Sequence, residues 1–375
     1  MLQTHVLPRV LLAASLLQAT LIYTPPLSWP LWMAHFAAVE TCLLGSVAGL
    51  AALALGRGQP VVQALAVVGI LAGLVPALAV APSYLREGQP FSLLAWLTGR
   101  GGVTVSVDRD LAFAPGLAAD LYRAPGPGPH PFVLVVHGGS WRSGDKGDAA
   151  HVSHALAAAG ISVVDVSYRL APEHPFPAAV QDVQCLLGQV RARAAELDLD
   201  PDRAALLGRS AGAQIALVAA YSAGRIAPSC DVTPAPVRAV VSVYGPTDLA
   251  WGHDHPFVPD VVDGTAAIEQ YIGGTPAELP EAYARATPQN WVDGPVPPTL
   301  LLHGTGERCV RPDHLEKLRA ALAARGHTVR TLLIPFADHG FDARPGGLGD
   351  QLAQGVILAF LREHLLVSAS APPSP

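Results

Sequence analysis

Three side chains, far apart along 375 residues, have the chemistry of an activated nucleophile and its partners. Ser210 sits in Leu206-Leu207-Gly208-Arg209-Ser210-Ala211-Gly212-Ala213, a G-x-S-x-G pattern. The apolar run Ala204–Leu207 enters it and the helix-forming run Ala211–Tyr221 leaves it, which predicts strand, sharp turn and helix. At such an elbow the glycines leave room for a strained backbone that pushes the serine Oγ out above the sheet edge. A hydroxyl is a poor nucleophile until a base takes its proton. His339, in Phe336-Ala337-Asp338-His339-Gly340-Phe341, follows the predicted strand Val329–Ile334 and is the expected base. An acid must then orient the imidazole and stabilise its charged form. Glu307, in the turn after the predicted strand Thr299–Leu302, is the expected acid, with Asp313 as the alternative. Asp338, next to the histidine, is expected to shape its loop.

Acyl transfer also places negative charge on the former carbonyl oxygen, and that charge needs donors. Gly138 and Gly139 follow the continuous apolar run Phe132–Val136, where glycines let backbone N–H groups turn into a pocket. With the N–H of Ala211 they make the expected oxyanion hole. His137 is expected to hold this loop through hydrogen bonds and not to act as the base.

The elements that must position these groups alternate. Strands are expected at Val103–Val107, Ala118–Arg123, Phe132–Val136, Ile161–Val166, Ala204–Leu207, Val237–Val243, Thr299–Leu302 and Val329–Ile334. Helices are expected at His151–Ala159, Pro177–Leu197, Ala211–Tyr221, Asp313–Arg325 and Asp350–His364. Such alternation predicts a mostly parallel sheet covered by helices on both faces, with ligands bound at the carboxyl ends of the strands. Residues 246–290 have weak periodicity and read as a small cap. Their pair His253 and His255 lacks a third ligand, so no metal site is expected there or elsewhere.

Ahead of these elements lies a different kind of sequence. Half of the chain is apolar and only 14% is charged, against about 25% in an average soluble protein. The mean hydropathy is +0.34, and the excess is packed into the first 81 residues. Val10–Tyr23, Leu31–Leu55 and Val61–Ala81 are three apolar runs, and a helix needs about 20 such residues to cross roughly 30 Å of hydrocarbon. The first run reaches that length only if it extends back through Pro8 and Arg9. It is read as an uncleaved helix, because no small-x-small cleavage site follows. Three spans put Arg9 and Arg57 on one side, the cytoplasmic one by the positive-inside rule, and the rest of the chain outside. Glu40 and His35 lie within the second run; the glutamate is expected to be protonated and bonded to Thr41 or a neighbouring helix. Pro90–Leu97, with Trp96, is expected to lie at the membrane interface, and Gly99, Gly101 and Gly102 to form a flexible join. The expected division is a membrane anchor over residues 1–85, a linker over 86–102, a catalytic domain over 103–367 and a disordered tail over 368–375.

The net charge of −6 and the lack of a basic block argue against nucleic acid as a partner. The four cysteines, Cys42, Cys185, Cys230 and Cys309, have no C-x-x-C spacing. They imply neither a zinc site nor a redox pair, and a disulfide among the last three is left open.

The chain resembles the α/β-hydrolase-fold carboxylesterases of the hormone-sensitive-lipase-like and acetyl-esterase group. His137-Gly138-Gly139-Ser140-Trp141 is similar to that group's H-G-G-x-W segment, and Gly208–Gly212 to its G-x-S-A-G elbow. Tyr168-Arg169-Leu170-Ala171-Pro172-Glu173, followed by Phe176-Pro177-Ala178, is similar to its Y-R-L-A-P-E-x-x-F-P-A signature. The resemblance covers about Val103 to His364 and does not extend to the apolar segment. It implies hydrolysis of short-chain carboxylic esters with no metal or organic cofactor, and a structural role for Arg169, Glu173 and Asp182. Two positions depart from the family pattern: Glu307 stands where aspartate is usual, and Ala213 where glycine is common. The expected activity is therefore a membrane-anchored serine esterase acting on a small-molecule ester. An amide-type hydrolase and an acyltransferase would share its triad, and a silent scaffold would not use it.

Overall fold

The computed structural model describes residues 2–99, 103–222, 224–258 and 261–366. The expected tail and the join at Gly101 and Gly102 lie outside the described residues.

The apolar segment forms α1 (Leu2–Tyr23), α2 (Trp29–Glu40), α3 (Cys42–Leu55), α4 (Pro60–Arg86) and α5 (Leu93–Thr98). Two of these, α1 and α4, are long and apolar enough to cross a membrane, or three if the bent pair α2–α3 counts as one span. That pair corrects the single helix expected over Leu31–Leu55: it bends by 70° at Thr41. The break has a local cause. The Gln18 side-chain amide, on α1, donates to the carbonyls of Ala38 and Thr41 at 3.1 and 2.9 Å, so the backbone opens there without leaving both groups unpaired. Helices α3 and α4 pack closely at Gly49 and Gly73, while Gly45 and Gly69 face Gln18 and Ser15 of α1. A Cβ at Gly49 would meet Ile70 and Ala66, and one at Gly73 would meet Cys42 and Ser46.

Other expectations for this region also need correcting. Helix α4 does not stop at Pro82 but runs on to Arg86, where Tyr84 Oη donates to the Leu348 carbonyl at 2.6 Å. Within Pro90–Leu97, Trp96 turns inward: it is 2% exposed, packed with Leu348 and Ile22, and its Nε1 donates to the Glu40 carbonyl at 3.1 Å, while Phe91, Leu93, Leu94 and Leu97 are exposed. Glu40 is buried, but not bonded to Thr41, whose hydroxyl donates to Ala37; among the described residues Glu40 Oε2 has no hydrogen-bond partner.

After α5 the chain builds one eight-stranded sheet. In chain order its elements are β1 (Val107–Ala114), β2 (Leu117–Tyr122), β3 (His130–Val136), α6 (Ala150–Ala158), β4 (Ser162–Val166), α7 (Ala178–Ala192), α8 (Ala194–Leu197), β5 (Leu199–Arg209), α9 (Ala211–Tyr221) and β6 (Ala239–Val243). Then come α10 (Leu249–Asp254), α11 (Gly264–Ile272), α12 (Pro280–Ala286), β7 (Thr299–Gly304), α13 (Asp313–Ala324), β8 (Val329–Ile334) and α14 (Leu348–Leu365). The order across the sheet is β1-β2-β4-β3-β5-β6-β7-β8, antiparallel at β1–β2–β4 and parallel beyond. This is the α/β-hydrolase fold. The central strands are apolar on both faces because both are covered, and Phe132–Val136 is buried throughout.

The first strand starts later than expected. Val103–Val107 joins the ladder only at its last residue, because the Val105 amide donates to His154 Nδ1 at 3.2 Å and not to a neighbouring strand. The helix expected over Pro177–Leu197 is two helices, broken at Arg193. Cys185 on α7 and Cys230 form a disulfide, Cα atoms 5.4 Å apart, while Cys42 and Cys309 are free.

The parallel register aligns the carboxyl ends of β3, β5, β6, β7 and β8 on one rim, with Val136 opposite Gly208 and Gly304 opposite Ile334. The loops that carry the candidate residues all leave from this rim. Helices α10, α11 and α12 arise between β6 and β7 and form the cap over it. Asp248 and Asp263 start the first two by accepting from the amides of Trp251 and Ala266.

Candidate active site

Ser210 sits at the turn from β5 to α9 with φ +53°, outside the helical and extended regions. The flanking glycines are required by close approach. A Cβ at Gly208 would run into the backbone of Gly212, and one at Gly212 would run into the carbonyls of Val136 and His137. Four more non-glycine residues around the rim also have positive φ: Ser140, Trp141, Tyr244 and Phe336. Strain of this kind is held only where surrounding structure over-determines it, and it clusters at sites of chemistry.

The structure brings Ser210, His339 and Glu307 together. His339 Nε2 lies 2.9 Å from Ser210 Oγ, and its Nδ1 lies 2.9 Å from Glu307 Oε2. The carboxylate only accepts, so Nδ1 carries the proton and Nε2 is left to receive the serine's. Glu307 is fully buried. Its Oε1 accepts from the amides of Arg308, Cys309 and Val310 at 3.0, 2.7 and 3.1 Å. Burial pushes its pKa up, but the His339 imidazole and these amides outweigh that and hold it below the usual glutamate value. Burial likewise pushes His339 down, and the Glu307 carboxylate outweighs it, leaving the imidazole above its ordinary value. The extra methylene of glutamate is accommodated by this amide cradle.

Gly138 and Gly139 follow β3 and face the elbow; a Cβ on Gly138 would stand 3.2 Å from the Ser210 Cβ. Among the described residues no protein group accepts from the amides of Gly138, Gly139 or Ala211. The segment is braced from behind. The His137 ring stacks on Tyr168 at 4.2 Å, its Nδ1 lies 2.7 Å from the Gly138 carbonyl, and Tyr168 Oη donates to the His137 carbonyl. Trp141 Nε1 donates to Gln214 on α9 at 2.9 Å. Arg169 and the buried Asp182 form a bidentate pair at 2.7 and 2.9 Å that fixes the segment behind this loop.

Some residues the sequence reading did not single out also build the site. Arg209 and Asp342, both buried, pair at 2.7 Å through two bonds, and Tyr244 Oη donates to the same carboxylate. The pair ties the elbow to the loop of His339, and the Tyr244 ring lies 4.5 Å from the His339 ring. More unexpected is the contribution of α2. Trp32 Nε1 donates to Asp338 Oδ2 at 2.9 Å, while Asp338 Oδ1 accepts the His339 amide at 2.7 Å. His35 Nε2 stands 3.7 Å from Asp338. Burial and the Glu307 charge push Asp338 up to about 7. A cavity of about 420 Å³ opens over Ser210, walled by the oxyanion segment, by Phe257, Val262 and Ile268 of the cap, and by Trp29 and Trp32 of α2.

Asp313 lies at the start of α13, away from the histidine bond that Glu307 makes. His253 is bound between Asp254 and Glu269, and His255 turns to the Trp251 carbonyl, so the two do not converge. Glu307, Cys309 and His339 offer atoms within 4.8 Å of one another. The first and last of these already bond each other, and burial pushes the Cys309 thiol well up, away from the thiolate a metal needs.

Residues 119–322 match the family model BD-FAE, more than half of the chain. The chain belongs to the BD-FAE family. The matched stretch carries Ser210, Glu307 and the three amides; His339 and the apolar helices lie outside it. The BD-FAE chain is 28% identical over 244 residues to esterase LipQ of Mycobacterium tuberculosis, covering 62% of this chain and 57% of that protein. It is 47% identical over 95 residues to carboxylesterase NlhH of the same organism, covering 25% and 30%. An esterase structure from Pyrobaculum calidifontis superposes with a TM-score of 0.61 at 25% identity, over 77% of this chain and 92% of that one. The likeness to α/β-hydrolase-fold carboxylesterases, read from motifs, holds in sequence and in structure. The chain spans little more than half the length of LipQ and similar curated relatives.

Proposed function

We propose that this chain is a membrane-anchored serine hydrolase of short-chain carboxylic esters, working through an acyl-enzyme. The observation that carries this reading is the relay from Ser210 through His339 to Glu307, both hydrogen bonds at 2.9 Å, beside three amides that face no protein acceptor. Ser210 Oγ attacks the ester carbonyl carbon as His339 Nε2 takes the hydroxyl proton. Glu307 stabilises the imidazolium. The amides of Gly138, Gly139 and Ala211 hold the oxyanion. The carbon–oxygen bond to the alcohol then breaks, and His339 gives its proton to that oxygen. Water repeats the sequence on the acyl-enzyme, releasing the acid and restoring Ser210. No metal or organic cofactor enters this scheme.

In the same reading, α1, the pair α2–α3 and α4 make a multi-pass anchor. The hydrolase lies on the extracytoplasmic side, with Arg9 and Arg57 inside. The Cys185–Cys230 disulfide favours that side, since such bonds persist in oxidising compartments. Protease added to intact cells should cleave the hydrolase; a domain protected until lysis would refute the topology.

The test of the activity is turnover of nitrophenyl acetate, butyrate and decanoate by the full chain in detergent, beside Ser210→Ala. Loss of the nucleophile should lower kcat by about 10⁶, and acetate and butyrate should exceed decanoate. Equal turnover in both proteins would end the reading.

A further inference from the structure

The catalytic cavity is walled in part by the membrane segment. Trp32 is buried and bonded to the histidine loop through Asp338. Trp29, one turn earlier with its ring 4.9 Å away, lines the same cavity yet is 50% exposed. The cavity therefore reaches the surface at Trp29, and the surface there is apolar: Leu27 is 73% and Leu31 48% exposed. From Thr24 to Ala34 the chain carries no charge. Among the exposed large apolar side chains of the described residues, all but Val103, Leu279, Leu333 and Leu366 lie before residue 100, which marks the outside of the α1–α3–α4 bundle as lipid-facing. With that bundle upright in a bilayer, the 70° bend lays α2 close to the membrane plane, at the end where the hydrolase sits. Tryptophan is favoured at that depth.

The cavity also has a direction. His339 must reach the leaving oxygen to protonate it, and the wall beside the histidine loop is the one made by Trp32. The alcohol arm of the ester therefore runs toward α2, and the acyl arm stays with Phe257, Val262 and Ile268 of the cap.

We propose that the substrate is a bilayer-borne ester, a short acyl group on a long-chain lipid alcohol, which reaches Ser210 from the membrane surface past Trp29 and Trp32. The proposal rests on the membrane-anchored esterase reading and names its substrate class. The chemistry is the same: the bond from acyl carbon to lipid oxygen breaks, the alcohol takes the His339 proton and stays in the bilayer, and water releases the short acid. A fully water-soluble ester would need no apolar aperture at Trp29.

The test uses the full chain reconstituted in phosphatidylcholine vesicles that contain hexadecyl acetate or, in parallel, ethyl hexadecanoate, with nitrophenyl acetate as the soluble probe. Hexadecyl acetate should be hydrolysed at least tenfold faster than ethyl hexadecanoate. Trp29→Ala should cut the ratio of hexadecyl acetate to nitrophenyl acetate turnover by about tenfold, the loss expected of an aromatic contact residue, and Trp29→Phe should restore most of it. A thermal unfolding midpoint in detergent equal to that of the unaltered chain shows that the variant is folded. Serine-dependent hydrolysis of nitrophenyl acetate without turnover of hexadecyl acetate would overturn the proposal and leave the esterase reading standing, as would an unchanged ratio in Trp29→Ala. Soluble turnover that survives Ser210→Ala, or a chain that fails to float with the vesicles, would remove the esterase or the anchor reading respectively, and this proposal with it.

Discussion

In the proposed mechanism His339 works as a base only when neutral, so the direction of its pKa fixes the acid limb of the rate profile. Burial lowers that pKa and Glu307 raises it further than burial lowers it. As pH falls through the raised value the imidazole is lost as a base, so kcat/KM should begin to drop at a pH above that of an ordinary histidine, about 6.5. Glu307→Gln keeps the shape and the backbone donors but removes the charge. It should lower kcat by about 10⁴, the loss found when a triad acid becomes its amide, and move the acid limb down. A limb that stays in place would show that Glu307 does not set the imidazole's charge state. These positions were legible in the sequence because each is tied to a short local pattern: a glycine-flanked serine, or a polar turn straight after an apolar strand. Arg209 and Asp342 were not, because their pairing crosses 133 residues and no local pattern announces it.

At the scale of elements, the contact that matters most is between α2 and the loop after β8. Trp32 donates to Asp338, which holds the amide of His339 with its other oxygen. Trp32→Phe keeps the apolar volume and deletes the donor. Asp338, already pushed up to about 7, should then rise further, because the lost bond favoured its charged form. A more neutral Asp338 raises His339 less, so the acid limb of kcat/KM should move down. Turnover should fall by about tenfold, the scale of a hydrogen bond to a charged group, with KM for a short soluble ester little changed. A loss of turnover with a fixed pH limb would mean that Trp32 only supports packing. The strands and their mostly parallel sheet could be expected from the alternation of strand and helix patterns. The break between α2 and α3 could not, since Leu31–Leu55 is uniformly apolar and the bend comes from Gln18 on another helix.

Taken whole, the molecule does not separate cleanly at the boundary its composition suggests. Val80 and Tyr84 of α4 pack in the same core as Leu352 and Val356 of α14. Glu87 pairs with Arg330 at 2.5 Å, Ser92 exchanges two bonds with Gln351, and Arg344 donates to the Trp96 carbonyl. Composition divides the chain near residue 85 because hydropathy changes there, but burial is decided by what the helices meet in three dimensions. A chain beginning at residue 103 loses all of these contacts together with Trp29 and Trp32. It exposes the apolar side chains of α14 beneath α4 and leaves Asp338 without its indole donor. Such a fragment should unfold at a lower temperature than the full chain in detergent and tend to associate. Its kcat for nitrophenyl butyrate should fall at least as far as that of Trp32→Phe, with the acid limb displaced the same way. Thermal unfolding, sedimentation and the pH profile check this together. A monomeric fragment with the full chain's turnover and pH profile would mean that the apolar segment only tethers the hydrolase. If the loss is as expected, the apolar helices are also part of the active site.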